Sequence, residues 1–422
     1  SCKLHEAISR KCPKVNLESS YGTMTVRGRK DLNKGENQKN APPWRWPGAA
    51  YVHIPFCAHH CSYCDFAIAT GRDDLREDYL TALENELRTL GKPCPVKTWF
   101  LGGGTPTQLS PAQLERLISM LREWLPLLPG GEFSIEANPD DCDLDRLRVL
   151  FQGGLTRLSL GVQSFHQPVL QFLDRRHDPS QVRRAIDNAR ALGLKNLSLD
   201  LIFGSAGMTL DMWKSDLQTA LDFKPAHIST YGLTYEKGTP LWKKMNRGDL
   251  IPLGESEELH QYELAMDLLE EKGFEHYEIS SFALPGWRCV HNQVYWANHA
   301  YWGFGMGAAK YVAGVRSVNS RDLTAYIRKA TLGEDAAFQS EQLEPREEAC
   351  ETLGLNMRRM EGASRPEFLQ RTGFDLDQIA GVEKNKLVEQ GLLLDDGQRL
   401  RLSRKGRPLA DWVITRLFAD TH

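Results

Sequence analysis

Tyr51-Val-His-Ile-Pro-Phe-Cys57-Ala-His-His-Cys61-Ser-Tyr-Cys64-Asp-Phe66 decides how this chain is read. A short apolar strand runs into a proline and then into three thiols spaced C-x3-C-x2-C. Thiolates are the usual ligands of iron–sulfur clusters, which ordinarily take four. Three closely spaced cysteines with no fourth nearby imply a cluster in which one iron keeps a position for another molecule. Three other readings stay open on the residues alone. Offsets of four and three would set the cysteines on one helical face as small core residues, although Pro55 and the polar Ala58-His59-His60 favour a loop. Three cysteines with His59 or His60 would suit zinc, although zinc sites more often pair their cysteines in two separated units. A disulfide fits least, because nine cysteines is an odd count and no secretory segment precedes them.

Outward from this loop, 422 residues exceed one ordinary domain, so two domains, or one large barrel with an appendage, are expected. Charged residues make up 25% and the net charge is −3, which gives no overall pull toward nucleic acid or an anionic membrane. No apolar run reaches the roughly 18 residues needed to cross a bilayer. A soluble protein is expected, with thiols suited to a reducing compartment such as the cytoplasm. Residues 1–45 carry ten Lys and Arg against four Asp and Glu, with no hydrophobic period. A disordered basic leader is expected there; its basic excess also admits a transit peptide to an organelle matrix or stroma, against which Glu6 and Glu18 count.

From Pro47 onward, apolar strands alternate with amphipathic helices, the pattern of a parallel sheet wrapped by crossover helices. Strands are expected at 50–54, 98–101, 133–137, 157–161, 197–203 and 226–233, and helices at 74–90, 110–125, 180–192 and 212–221. Six βα units in series suggest an incomplete TIM-like barrel. In such barrels the polar residues at the C-terminal strand ends face the active site. Those ends carry the three cysteines, Gly103-Gly104-Thr105, Glu136, Gln163 and Asp200. This mixture suits a ligand bearing ammonium, carboxylate and hydroxyl groups. Beyond Val315 the alternation lapses. Helices at 346–360, 365–372 and 376–390, a hairpin pairing 392–394 with 400–402, and a closing segment at 403–417 suggest a small winged-helix-like domain. Arg399, Arg401, Arg404, Lys405 and Arg407 cluster on its wing; the acidic run before them opposes a phosphate-binding face, and no nucleic-acid partner is expected.

The cysteine spacing after an apolar strand, with Tyr63 just before the third cysteine, resembles the radical S-adenosylmethionine (SAM) superfamily. The longer string Tyr51-Val-His-Ile-Pro-Phe-Cys57 is similar to the branch that holds oxygen-independent coproporphyrinogen III dehydrogenases and HemW-type haem chaperones. In the dehydrogenases the pattern continues Cys-x-Cys; Phe66 stands there in this chain, so the resemblance points to the chaperones. It implies an α/β fold: a partial TIM-like (β/α)6 barrel over 46–314 and a small winged-helix-like C-terminal domain over 315–422. It implies a [4Fe-4S] cluster on Cys57, Cys61 and Cys64, with SAM chelating the fourth iron. An electron from a donor protein would then cleave SAM to a 5′-deoxyadenosyl radical, chemistry that belongs to the cofactor. Tyr51, Tyr63, Gly103, Gly104, Thr105, Glu136, Gln163, Arg175 and Asp200 fall at positions matching SAM contacts.

A second constellation, His291-Asn-Gln-Val-Tyr295-Trp296, is similar to the HemW signature whose histidine is a proposed haem ligand. A neutral imidazole suits iron, and the aromatics could lie on a porphyrin face; a core histidine among packed aromatics reads equally well. The histidine usual after the glycine run is missing from Gly307-Ala308-Ala309-Lys310, and Gly204-Ser-Ala-Gly207 lacks the usual proline, which predicts a more mobile loop. The resemblance implies a chaperone that carries haem to respiratory haemoproteins with at most peripheral membrane contact; oxidative decarboxylation of coproporphyrinogen III is the enzyme alternative.

Overall fold

The computed structural model describes residues 41–418. Most of the leader expected at 1–45 lies outside the described residues. The part inside them, 41–45, is turned onto the barrel: the Pro42 carbonyl accepts from the Arg45 N–H (2.9 Å) and the Pro43 carbonyl from the Ala300 N–H (2.9 Å).

Six strands form first: β1 (Ala49–Ile54), β2 (Val96–Gly103), β3 (Leu127–Ala137), β4 (Arg157–Gln163), β5 (Asn196–Phe203) and β6 (His227–Gly232). They lie side by side in chain order and every neighbouring pair is parallel. All six were legible as apolar runs punctuated by turn residues. The crossover helices are α1 (Arg76–Arg88), α2 (Pro111–Trp124), α3 (Leu144–Gln152), α4 (Pro179–Ala191) and α5 (Leu210–Asp222). α2 and α4 start at reciprocal capping boxes, Ser110 with Gln113 and Asp178 with Gln181, each with proline in the first turn. After α6 (Glu255–Glu271), β7 (Glu275–Glu278) and β8 (Ser281–Ala283) extend the sheet antiparallel in the order β6-β8-β7. β9 (Trp302–Phe304) joins the other edge, parallel to β1. Among the described residues no pairing links β9 to β7, so the nine-stranded sheet is an open, partial barrel.

Strand alternation separates two faces. Val52, Ile54, Trp99, Leu101, Ile135, Leu158, Leu160 and Leu199 pack beneath the helices in one core. The concave face is polar instead: Tyr51 and His53 on β1, Glu132, Ser134 and Glu136 on β3, Ser159 on β4, Ser198 and Asp200 on β5, and His227 and Ser229 on β6. A helix-covered outside and a polar inside place the chemistry within the barrel.

The expected division at 314 and 315 falls in the turn of an antiparallel hairpin, Ala309–Val312 against Val315–Asn319. Leu323, Tyr326, Ala330 and Ala336 still pack into the main core. Buried Glu86 of α1 ties that region down, accepting from Gly305 N–H (2.8 Å), Asn319 Nδ2 (2.7 Å) and Tyr326 Oη (2.7 Å). A separate core, including Cys350, Leu353, Phe368, Ile379, Leu402 and Val413, gathers only from residue 349 onward. There Ala363–Ser364, Arg399–Leu402 and Leu393–Asp395 make a three-stranded wing beside the helices. The single helix expected at 376–390 is two, Leu376–Ala380 and Glu383–Glu389, parted at Gly381, whose φ of 59° a side-chain-bearing residue adopts at a cost. The wing arginines dock this domain on the barrel. Arg404 pairs with Asp267 and, at 3.1 Å, with Glu270 on α6, and Arg407 pairs with Glu270 at 3.2 Å. No helix among the described residues is long and apolar enough to cross a membrane.

Candidate functional site

β1 ends at Ile54, and after Pro55 the chain enters the thiol loop, pinned where Phe56–Cys57 pairs with Ala69–Thr70. No helix forms between Cys57 and Thr70, which removes the helical-core reading, and all three cysteines are free thiols. Cys61 is buried; Cys57 and Cys64 are half-buried. Each sulfur faces a donor. Thr105 Oγ1 lies 3.6 Å from Cys57 Sγ, Arg175 Nη1 lies 3.9 Å from Cys61 Sγ, and the Phe66 backbone amide bonds Cys64. Burial pushes the Cys57 and Cys64 thiols up, to about 11 and about 12, so at neutral pH the proton stays until a metal displaces it.

His59 Nε2 meets the Asp174 carbonyl and lies 3.6 Å from Cys61 Sγ, and His60 Nε2 bonds the Cys64 carbonyl (3.0 Å). Among the described residues no three His, Cys, Asp or Glu side chains converge on one ion. A tetrahedral zinc needs such convergence, whereas in a cluster each thiolate meets its own iron. The three free thiols, each facing a donor, offer a cluster its three protein ligands.

β2 ends in the glycine run. Gly103 has φ +108°, and a Cβ there would sit 2.3 Å from the His53 ring; a Cβ on Gly104 would meet the Pro55 backbone at 2.6 Å. The glycines therefore let β2 close against the base of the thiol loop. Their amides are engaged within the protein: Gly103 N–H to Glu136 Oε2 (3.1 Å), Gly104 N–H to the Ile54 carbonyl (2.8 Å) and Thr105 N–H to the Phe56 carbonyl (2.8 Å). His53, whose Nε2 bonds the Ala67 carbonyl (2.7 Å) and whose Nδ1 meets Tyr51 Oη (3.0 Å), braces the far side of the loop.

The expected carboxylates do come together. Glu136 and Asp200 are half-buried and close enough to repel, and desolvation together with the Asp200 charge pushes Glu136 up to about 7. Asp200 is held by Ser159 Oγ (3.0 Å), and burial raises it too. Gln163 has φ 65° at a register shift between β4 and β5, a strained backbone for a non-glycine residue of the kind found at functional sites. Tyr63 is half-buried beside Arg175, which also bonds the Gly161 carbonyl (2.6 Å). In the loop at 204–208, which lacks the usual proline, Gln261 accepts from Gly204 N–H (2.8 Å) and donates to the Met208 carbonyl (3.0 Å).

Glu136 gives a pH prediction. Its folded value, about 7, lies above the ordinary 4.5, so the folded state binds its proton more tightly than the unfolded state. Stability from this group is then full below about pH 4.5 and is lost as pH rises through about 7. At 1.36 kcal/mol per pH unit the loss is about 3 kcal/mol. Urea unfolding across that range should show wild type declining relative to Glu136→Gln, whose amide oxygen still accepts from Gly103; parallel curves would refute the assignment.

His291 lies at the opposite, N-terminal end of the strands, on α7 (Val290–Trp296). Glu132 of β3 caps this helix, accepting from Val290 N–H (2.9 Å) and His291 N–H (3.1 Å), a carboxylate at the positive helix end. The imidazole is fully buried, with Nδ1 at 2.8 Å from Thr98 Oγ1 and Nε2 at 2.8 Å from Tyr295 Oη. Burial lowers its pKa to about 3, so it stays neutral. With both nitrogens engaged within the protein, His291 sits here as a core histidine among packed aromatics, and its ligation of haem stands as an expectation. Trp296 bonds Glu278 through Nε1 and, through its carbonyl, Asn356 of the C-terminal domain (2.9 Å). The motif thus joins the barrel floor to the tail. Ser159 and Asn138 stand beside the candidate site and Thr98 and Glu132 hold His291 at the other end, and sequence reading singled out none of these four side chains; alternating polar residues at 132, 134 and 136 of a barrel strand were the available signal.

Comparison with known proteins agrees with this geometry. A family profile described as the radical SAM superfamily matches residues 51–220, and one described as the HemN C-terminal domain matches residues 343–409. Curated relatives named "Heme chaperone HemW" from Lactococcus lactis and Bacillus subtilis are 34% and 36% identical, over 89% and 87% of this chain and 98% of each relative. The solved structure of the coproporphyrinogen III oxidase HemN from Escherichia coli, a radical SAM enzyme by its description, superposes with TM-score 0.78 over 91% of this chain and 92% of that one. At 24% identity that match speaks for the fold alone. Thiol loop, partial barrel, winged tail and near full-length likeness converge: the chain belongs to the HemW heme chaperone family within the radical SAM superfamily.

Proposed function

We propose that this protein binds haem and passes it to membrane haemoproteins of respiration, and that it carries a [4Fe-4S] cluster on Cys57, Cys61 and Cys64 with SAM at the open iron. The observation that carries the reading is likeness to heme chaperones along 98% of their length. When bound, cluster and SAM supply one-electron chemistry at a sulfonium. The protein's own part is to hold the thiol loop on Gly103 and Gly104, and to present Glu136, Asp200 and Gln163, with Tyr51 and Tyr63, to the ammonium and hydroxyl groups of SAM. Half-buried Tyr295 and Trp296, with exposed Tyr231, supply aromatic surface to a flat porphyrin. Haem, a donor of electrons and a recipient haemoprotein are the partners, and the cytoplasm, or an organelle matrix, is the site of action.

Mixing haem-loaded protein with membranes that hold a haem-free respiratory haemoprotein tests this. Haem absorbance should move into the membrane fraction and restore the recipient's spectrum at a rate well above that of free haem. Transfer no faster than free haem would overturn the chaperone role.

A further inference from the structure

Asn138 follows β3 and precedes Pro139, and both ends of its amide are engaged. Its Oδ1 accepts from Arg175 Nη2 (2.6 Å), and its Nδ2 donates to Thr105 Oγ1 (2.9 Å). A guanidinium cannot accept, so Arg175 fixes which end of the amide is oxygen. Thr105 Oγ1, having accepted from Asn138, keeps one O–H to give, and the acceptor 3.6 Å away is Cys57 Sγ. Thr105 is only 3% exposed, so water does not compete for that proton. Arg175 meanwhile reaches Cys61 Sγ through its other nitrogen at 3.9 Å. A single directed chain therefore runs from one thiol to another: Cys61, Arg175, Asn138, Thr105, Cys57.

We propose that Asn138 is a positioning residue that aims the Thr105 hydroxyl and the Arg175 guanidinium at the sulfurs of Cys57 and Cys61, so that both donate to cluster thiolates. Thr105 and Arg175 thereby reach the cluster sulfurs from positions that match SAM contacts. Hydrogen bonds to thiolate sulfur stabilise the more negative, reduced cluster and raise its reduction potential. The inference rests on the cluster reading above.

The test uses full-length protein reconstituted anaerobically with iron and sulfide, without SAM or haem. Iron per chain is counted, and the cluster is then titrated with dithionite, which supplies the one electron, followed by electron paramagnetic resonance. Thr105→Val keeps the shape and removes the hydroxyl, and its midpoint potential should fall below wild type; Thr105→Ser should restore it. Asn138→Asp can only accept, so it turns the Thr105 proton away from Cys57 and should also lower the potential. Its added charge is separated by the double variant: adding Thr105→Val to Asn138→Asp should produce no further drop, because the two residues act through one hydrogen bond. An unchanged midpoint in iron-loaded Thr105→Val, or fully additive shifts, overturns the inference. Wild type that takes up no iron overturns the cluster reading instead. If Asn138→Asp does not fold, the valine and serine pair decides alone.

Discussion

Cys61→Ser is expected to leave the protein folded and unable to hold iron. Cys61 is the buried member of the trio and sits in a loop, not in the main core, so exchanging sulfur for oxygen removes little packing. What it removes is the thiolate, and an alcohol does not ionise to replace it at cluster iron. Reconstituted wild type should carry roughly four irons per chain and the broad cluster absorbance; Cys61→Ser should carry close to none, and with the cluster goes SAM chelation. Cys94→Ser is the matched control, since Cys94 is a buried free cysteine just before the N-terminal end of β2, with its thiol on the Lys92 carbonyl (3.5 Å). Full iron loading in Cys61→Ser, or equal loss in Cys94→Ser, would contradict the assignment of the loop.

His291→Ala should be the most destabilising single change in the barrel floor. The ring is fully buried, lies tilted against Phe100 at 5.1 Å and satisfies both Thr98 and Tyr295. Truncation leaves the buried Thr98 hydroxyl and the hydroxyl of half-buried Tyr295 without this partner, about 1–3 kcal/mol each, and adds a cavity. A loss of about 3–5 kcal/mol in urea unfolding follows from those two terms. The same burial sets a pH signature. Because the folded pKa is lowered from 6.5 to about 3, stability from neutral His291 is present above about 6.5 and is lost as pH falls toward 3. His291→Ala should lack that acid-side slope. In His291→Gln, which keeps a polar side chain near the two hydroxyls, haem should bind with the wild-type absorbance maximum. A shifted maximum without loss of stability would restore the imidazole as an iron ligand.

The sequence showed the barrel because apolar runs ending in Gly102, Asn138 and Gly204 mark parallel strands without tertiary information. α3 was missed although Asp143 caps it and Leu147 and Leu150 bury its inner face; its nine residues are short for a periodicity signal. The thiol loop and the Glu136–Asp200 pair were legible from motif spacing and strand ends. The packing of His291 was not, because it depends on Thr98, 193 residues away in sequence, and imidazole burial and imidazole coordination share one sequence signature. Asn138 read as strand punctuation beside Pro139; only the folded chain sets it between Arg175 and Thr105. The wing arginines read as a free basic cluster until Asp267 and Glu270 appeared opposite Arg404 and Arg407.

The most direct measurement is anaerobic reconstitution of the cluster, followed by titration with haem recorded by absorbance, in parallel with a coproporphyrinogen III assay containing SAM and reductant. Saturable haem binding with no porphyrinogen turnover is the result expected of a haem carrier. Conversion of coproporphyrinogen III to protoporphyrinogen IX without haem binding would contradict it, and would make Phe66 in place of a fourth cysteine compatible with decarboxylation.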